Sequence, residues 1–257
     1  MKLSVNPVLL KLFAVAGGVL GLLLQYVLYT TGVDGKGLLI AGHWAGAALT
    51  TLTVLVFSAV IILTRGIQGP DDYRNSHPAS VIRGLGCIAL TVALAATCRN
   101  AWSAETTLEM LTGVLTFASA AGLLYVGICR MAGVKPVFLG NAAACACFAI
   151  RMVSQYQHWS SDPQLMDYIF YLCAYGALML AAYQQAAFDA GMGSHRNLWA
   201  LSLAAAYLCC AALWGAADFW VLLAGAFWAV TNMTCLKAKA RKHRHKGQKE
   251  HKPQEEV

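Results

Sequence analysis

The sequence predicts an all-α protein, a polytopic membrane helical bundle of about eight transmembrane helices arranged as four hairpins. Three observations carry this. Of the 257 residues, 58% are hydrophobic and only 12% are charged. The mean hydropathy is +0.56. The apolar residues are gathered into long runs with polar punctuation between them. A soluble domain is about a quarter charged, so this chain has too little polar surface to cover a water-soluble globule of its size. That excludes a soluble enzyme, a disordered chain and a nucleic-acid-binding domain as the main reading, and no nucleic-acid partner is expected.

A bilayer core about 30 Å thick is crossed by about 20 apolar helical residues. Eight stretches meet or approach that length, at about 8–29, 38–64, 80–98, 106–128, 136–156, 164–188, 197–214 and 217–236. The first carries Lys2 and Lys11 ahead of apolar sequence, as a signal peptide does. Its apolar run continues to Tyr29, however, and a signal core spans only about 7–15 residues. It reads as an uncleaved anchor. Residues 1–236 thus form the bundle and 237–257 a polybasic tail, read as disordered.

Orientation follows from Lys and Arg, which accumulate on the cytoplasmic side. With eight crossings one side receives Lys2, Lys11, Arg65, Arg74, Arg83, Arg130, Lys135, Arg196 and the eight basic residues of the tail. The other receives Lys36, Arg99 and Arg151. Without the tail the bias is still eight to three. Both termini are therefore expected in the cytoplasm of a cell-membrane protein. The tail is expected to lie on anionic lipid head groups, at about 1 kcal/mol per basic residue near the surface.

The outward turns share a pattern. Trp102 precedes Glu105, Trp159 precedes Asp162, and Trp214 precedes Asp218, with successive Trp residues 57 and 55 positions apart. A hairpin duplication would produce this. So would two general habits, Trp at membrane interfaces and acids at helix N-termini. Thr106-Thr107-Leu108-Glu109 and Ser161-Asp162-Pro163-Gln164 fit capping boxes, in which a hydroxyl and an acid or amide reciprocally satisfy two backbone N–H groups. Small residues at Gly17-Gly18 with Gly21, at Ala41-Gly42 with Ala45-Gly46, and at Ala118–Gly122 predict close helix approach.

Charges inside apolar spans cost about 2.5–3.5 kcal/mol each, so they mark candidate sites. Arg151 lies five residues before the expected end of the fifth span, about 7–8 Å below the outer surface. Asp167 on the returning span lies at similar depth, and Arg99 and Glu109 repeat the arrangement one hairpin earlier. Arg151–Asp167 and Arg99–Glu109 are therefore candidate ion pairs. With Tyr156, His158, Trp159, Asp162 and Tyr168 they suggest an outer aromatic-lined pocket for a small-molecule ligand. The alternative is a structural pair or an arginine reaching to the interface.

At the inner side, Tyr183, Gln184, Gln185 and Asp189 read as an ordinary wet helix end rather than the mouth of a translocation route. His43, Asn141 and Asn232 read as interhelical hydrogen-bond partners. The nine cysteines contain no C-x-x-C and behave as small hydrophobes. Neither a zinc-ligand spacing nor a catalytic motif occurs, so no cofactor is expected.

Three functions compete. A small-molecule permease or membrane substrate-binding component leads. A non-catalytic sensor or assembly subunit would use the tail and the 65–79 loop to hold a protein partner. An intramembrane enzyme acting on a lipid or isoprenoid would use Asp71, Asp72, Arg74 and His77 at a phosphate; that loop reads more simply as solvated, which weighs against an enzyme.

Overall fold

A computed structural model describes residues 7–32, 40, 42–65, 80–98, 106–159 and 165–233; at 7, 158–159 and 165–168 it describes backbone alone. Among these residues there are eight helices and no strand: α1 (Pro7–Thr31), α2 (Trp44–Thr64), α3 (Val81–Cys98), α4 (Thr107–Ala132), α5 (Leu139–Trp159), α6 (Leu165–Asp189), α7 (His195–Ala211) and α8 (Phe219–Asn232). The largest boundary difference is at α2, which starts at Trp44 rather than near 38. Gly42, at φ +81°, turns the chain, and His43 caps the helix by accepting from the Ala45 N–H through Nδ1 at 3.3 Å. His43 is thus a cap; Thr31 Oγ1 lies 3.5 Å from its Nε2. The capping box at Thr106 and Glu109 forms as expected. The polybasic tail, the 66–79 loop and the Ser161–Gln164 box lie outside the described residues.

Helices α3 to α8 close into a ring. Each packs on the next, and α8 returns to α3 while also touching α6. The pair α1 and α2 sits outside the ring against α7. Helix α7 is therefore covered on most sides, and eleven of its 17 residues are buried. Its small side chains permit this. A Cβ on Gly18 of α1 would stand 2.6 Å from the Cys210 Cβ, and one on Gly21 would stand 3.0 Å from the Ala211 Cβ. Gly122 and Gly140 bring α4 and α5 together in the same way, with a Cβ on Gly122 reaching the Gly140 Cα at 2.9 Å.

The distribution of polarity is that of a protein dissolved in lipid. Phe117, Leu55, Ile62 and Val92 are exposed, whereas Arg83, Arg130, Arg151, Asp189, Gln185 and Asn232 are buried. A soluble fold does the reverse. Four helices, α1 to α4, are long and apolar enough to cross a membrane. Helix α7 has 17 residues and α8 has 14. Helices α5 and α6 are long enough but carry much of the polar interior, including Asn141, Arg151, Gln185 and Asp189. The molecule is a membrane-embedded helical bundle.

Candidate functional site

Two polar clusters occupy the ring, one toward each end; outer and inner name the sides that the bias of basic residues in the sequence assigns to them. The outer cluster centres on Arg151 of α5, which is only 7% exposed. Its Nη1 donates to Asp218 Oδ2 at 3.1 Å. Its Nε and Nη2 donate to Thr116 Oγ1 of α4, each at 3.3 Å. Nη2 also donates to Thr97 Oγ1 of α3. Asp218 is the N-cap residue of α8, yet its side chain makes no capping bond. Its Oδ2 instead accepts from Arg151, from Tyr175 OH at 2.7 Å and from Tyr171 OH at 3.0 Å. An acid at a helix N-terminus is favoured by the dipole, and here that acid also neutralises a guanidinium three elements away. Beside the pair lies a cleft of about 190 Å³ lined by Thr97, Thr112, Arg151, Ser154, Gln155 and Asp218.

The sequence singled out Arg151 and named Asp167 as its partner; among the described side chains the carboxylate it contacts is Asp218. Packing of α8 against α3 and α6 carries the N-cap of α8 over the guanidinium, an arrangement that chain order does not reveal. The side chains of Asp167, Tyr168, His158 and Trp159 lie outside the described parts, as do Arg99 and Asp162. Tyr156 is 53% exposed and does not join the cleft. Glu109 serves the capping box, with its Oε2 accepting from the Thr106 N–H at 3.4 Å.

The inner cluster centres on Arg130 at the end of α4. Its Nη1 donates to Asn232 Oδ1 of α8 and its Nη2 to Gln185 Oε1 of α6, both at 2.8 Å. Nη2 also lies 3.8 Å from Asp189 Oδ2, with both side chains nearly sealed. Asn141 of α5 donates through Nδ2 to the same Asp189 oxygen. Arg83 of α3 is 1% exposed and lies within electrostatic range of Asp189, as does Lys135. The expected wet helix end is thus partly a buried network: Gln185 and Asp189 point into the ring, while Tyr183 alone is 56% exposed. Asn141 and Asn232 are interhelical partners, as their isolation in apolar spans implies.

Five helices contribute to both clusters. Thr97 and Arg83 lie fourteen positions apart on α3, as do Thr116 and Arg130 on α4, and Asp218 and Asn232 along α8. That spacing corresponds to about 21 Å of helix. Arg151 and Asn141 of α5, like Tyr175 and Gln185 of α6, are ten positions apart. Between these levels sit Leu90, Leu123, Phe148, Leu178 and Leu222, all fully buried. The ring interior is therefore polar, then apolar, then polar.

Sequence reasoning missed Thr97, Thr116, Tyr171 and Tyr175, and read Arg83 and Arg130 only as topology signals. Threonines in membrane helices usually bond their own backbone, as Thr116 does to Thr112 O at 2.6 Å, so their second role leaves no trace in the sequence. Comparison with protein-family models, with curated proteins and with solved structures finds no match for this chain.

Proposed function

We propose that the protein is a membrane permease, or the membrane substrate-binding component of one, for a small polar solute that carries no net charge. The chain crosses the cell membrane eight times with both termini in the cytoplasm, and the basic tail rests on anionic lipid. The observation that carries this reading is the outer cleft. It is lined by six polar side chains inside a bundle whose surface is apolar. Its guanidinium and carboxylate cancel, so a solute with net charge would enter uncompensated, at a cost that rises as water is excluded. A solute bearing both donors and acceptors meets Arg151, Asp218, three hydroxyls and an amide. The second polar level below the apolar layer suits a carrier with a closed inner end.

The test is solute-driven swelling of liposomes containing the purified chain, read by light scattering with glycine, urea, glycerol and acetate. The expected result is faster entry of at least one of the first three than of acetate, lost in Arg151→Ala and Asp218→Asn at equal protein incorporation. Rates equal to those of protein-free liposomes for all four, or variants that are merely absent from the membrane, would count against it. A sensor or assembly role has no comparable structural support, because the tail and the 66–79 loop lie outside the described residues.

A further inference from the structure

Two carboxyls of the ring are held in opposite ways. Asp218 Oδ2 accepts from a guanidinium and two tyrosines at 2.7–3.1 Å, which is how an ionised carboxylate is satisfied. Asp189 is 3% exposed and, among the described residues, accepts one hydrogen bond, from Asn141 Nδ2 to its Oδ2. Its Oδ1 is sealed and accepts nothing, and the same is true of Asn141 Oδ1. The two orphaned acceptors therefore belong to the two groups that this bond joins. Arg130 lies beside the carboxyl and does not take it. Its Nη2 stays 3.8 Å away, whereas charge-assisted pairs close to about 2.7–2.9 Å. Both terminal nitrogens donate instead at 2.8 Å to the neutral amide oxygens of Asn232 and Gln185. A guanidinium that bonds two neutral amides beside an acid marks that acid as uncharged.

An ionised carboxylate oxygen taken out of water without a donor is so costly that such a group neutralises instead. A carboxylic acid has what this pair lacks, one O–H donor. Placed on Asp189 Oδ1 and directed at Asn141 Oδ1, the proton turns one orphaned acceptor into a donor and gives the other its partner. Acid and amide then close a ring of two parallel hydrogen bonds. A proton needs no cavity. Against it act Arg130 of α4, Lys135 just beyond that helix and Arg83 of α3, all within electrostatic range. None of the three donates a hydrogen bond to the carboxyl among the described residues. Of the helices packed on α6, α5 and α8 present the amides Asn141 and Asn232, while α7 opens with His195, stacked on Phe188, and the exposed Arg196.

From this we infer that the inner cluster is a proton-binding site: Asp189 carries a proton on Oδ1 at neutral pH and donates it to Asn141 Oδ1, fastening α6 to α5 at the inner end of the ring. Release breaks the Oδ1–H bond, passes the proton to water at that end and leaves a carboxylate that can only accept. The second bond to Asn141 is then lost, and Arg130 is drawn from the amides toward the new charge. The fastening therefore responds to pH on the inner side. It does not depend on whether the outer cleft carries a solute.

The experiment compares the parent with Asp189→Asn, whose NH2 can donate where the acid does, and with Asp189→Ala. Unfolding of the purified full-length chain in detergent is followed between about pH 5 and pH 8. At neutral pH the midpoint of Asp189→Asn should match or exceed that of the parent, and that of Asp189→Ala should fall below both. An acid that keeps its proton above its unfolded value of about 3.9 loses folding stability as pH rises. The unfolding constant of the parent should therefore grow relative to that of Asp189→Asn by up to about tenfold per pH unit. Infrared spectra of the parent at neutral pH should contain the C=O stretch of a carboxylic acid, moved by Asn141→Ala and removed by Asp189→Asn; the first two preparations leave residue 189 intact. Absence of that band from the parent would overturn the site. So would an Asp189→Asn midpoint as low as that of Asp189→Ala, which is what loss of an ionised partner of Arg130 gives, and so would a ratio of unfolding constants that does not change with pH.

Discussion

Arg151 and Asp218, 67 positions apart, meet at 3.1 Å across the outer end of the ring, joining the middle of α5 to the cap of α8. Everything else in the outer cluster attaches to one of them. The arginine is held by two threonines from α3 and α4, and the aspartate by two tyrosines from α6. Five helices are thereby tied at one level, and three of the groups that tie them, Thr97, Arg151 and Asp218, also line the cleft.

The pair should be costly to halve. Removing one partner of a buried ion pair leaves the other charge unmatched and destabilises by about 3–5 kcal/mol; the Asp218 side chain is 20% exposed, so the lower end of that range applies. Asp218→Ala is expected to lower the unfolding midpoint of the detergent-solubilised protein by roughly 10 °C, taking about 2–4 °C per kcal/mol for a chain of this size. The double variant Arg151→Met, Asp218→Leu should recover most of that loss, because replacing both charges with apolar groups is often neutral. Its solute entry should nonetheless remain abolished. Thermal midpoints and liposome swelling on the same three preparations separate stability from binding.

The tyrosines should differ from one another. Tyr175 is fully buried and donates to Asp218 at 2.7 Å, whereas Tyr171 is 6% exposed and donates at 3.0 Å. Hydrogen bonds to charged groups are worth about 1.5–3 kcal/mol. Tyr175→Phe is expected to lie near the upper end of that range and Tyr171→Phe near the lower end. Equal midpoints for the two variants would show that the aspartate does not depend on its shorter bond.

The helices were legible because each is an apolar run near the length a bilayer demands, and that length is a local property. Arg151 was legible because a charge in such a run stands out against its neighbours. Its contact with Asp218 was not, because that acid lies 67 positions away and comes over Arg151 only once α8 packs against α3 and α6. Arg83 and Arg130 were hidden for another reason. Near the end of a span an arginine looks like a flank, and only the approach of α6 and α8 buries it. The four hydroxyl residues that complete the outer cluster, Thr97, Thr116, Tyr171 and Tyr175, carry no charge, and nothing in an apolar run distinguishes them from ordinary lipid-facing or core positions.

Both chain ends should report from the cytosol. The bias of basic residues depends on an even number of crossings, and moving a single span out of the membrane would invert it for the tail. Fusions of a fluorescent protein to either end are expected to fluoresce, and a periplasmic or extracellular reporter at either end is expected to stay silent. Opposite signals from the two ends would require an odd count and would remove the argument for eight spans.

Glycine substitutions should separate close packing from mere helix composition. In an open helical position Gly→Ala gains about 0.5–1 kcal/mol, because glycine loses more backbone freedom on folding. Gly46 of α2 is such a position: a Cβ there would meet only the Leu28 Cδ1, at 3.9 Å. Gly46→Ala is therefore expected to leave the unfolding midpoint unchanged or to raise it. Gly18 of α1 is the opposite case, since its added Cβ would stand 2.6 Å from the Cys210 Cβ and 3.3 Å from the Tyr207 carbonyl oxygen. Neither neighbour is the far end of a flexible chain, so α1 and α7 must move apart. Overpacking of this kind costs about 1–3 kcal/mol, and Gly18→Ala should lower the midpoint by several degrees. Adding Cys210→Gly should recover part of that loss, because it removes the nearest atom in the way while placing a second glycine in a helix. If Gly18→Ala were as harmless as Gly46→Ala, the α1–α7 contact would be looser than the side chains here require, and the outer pair of helices would not be fixed to the ring through it.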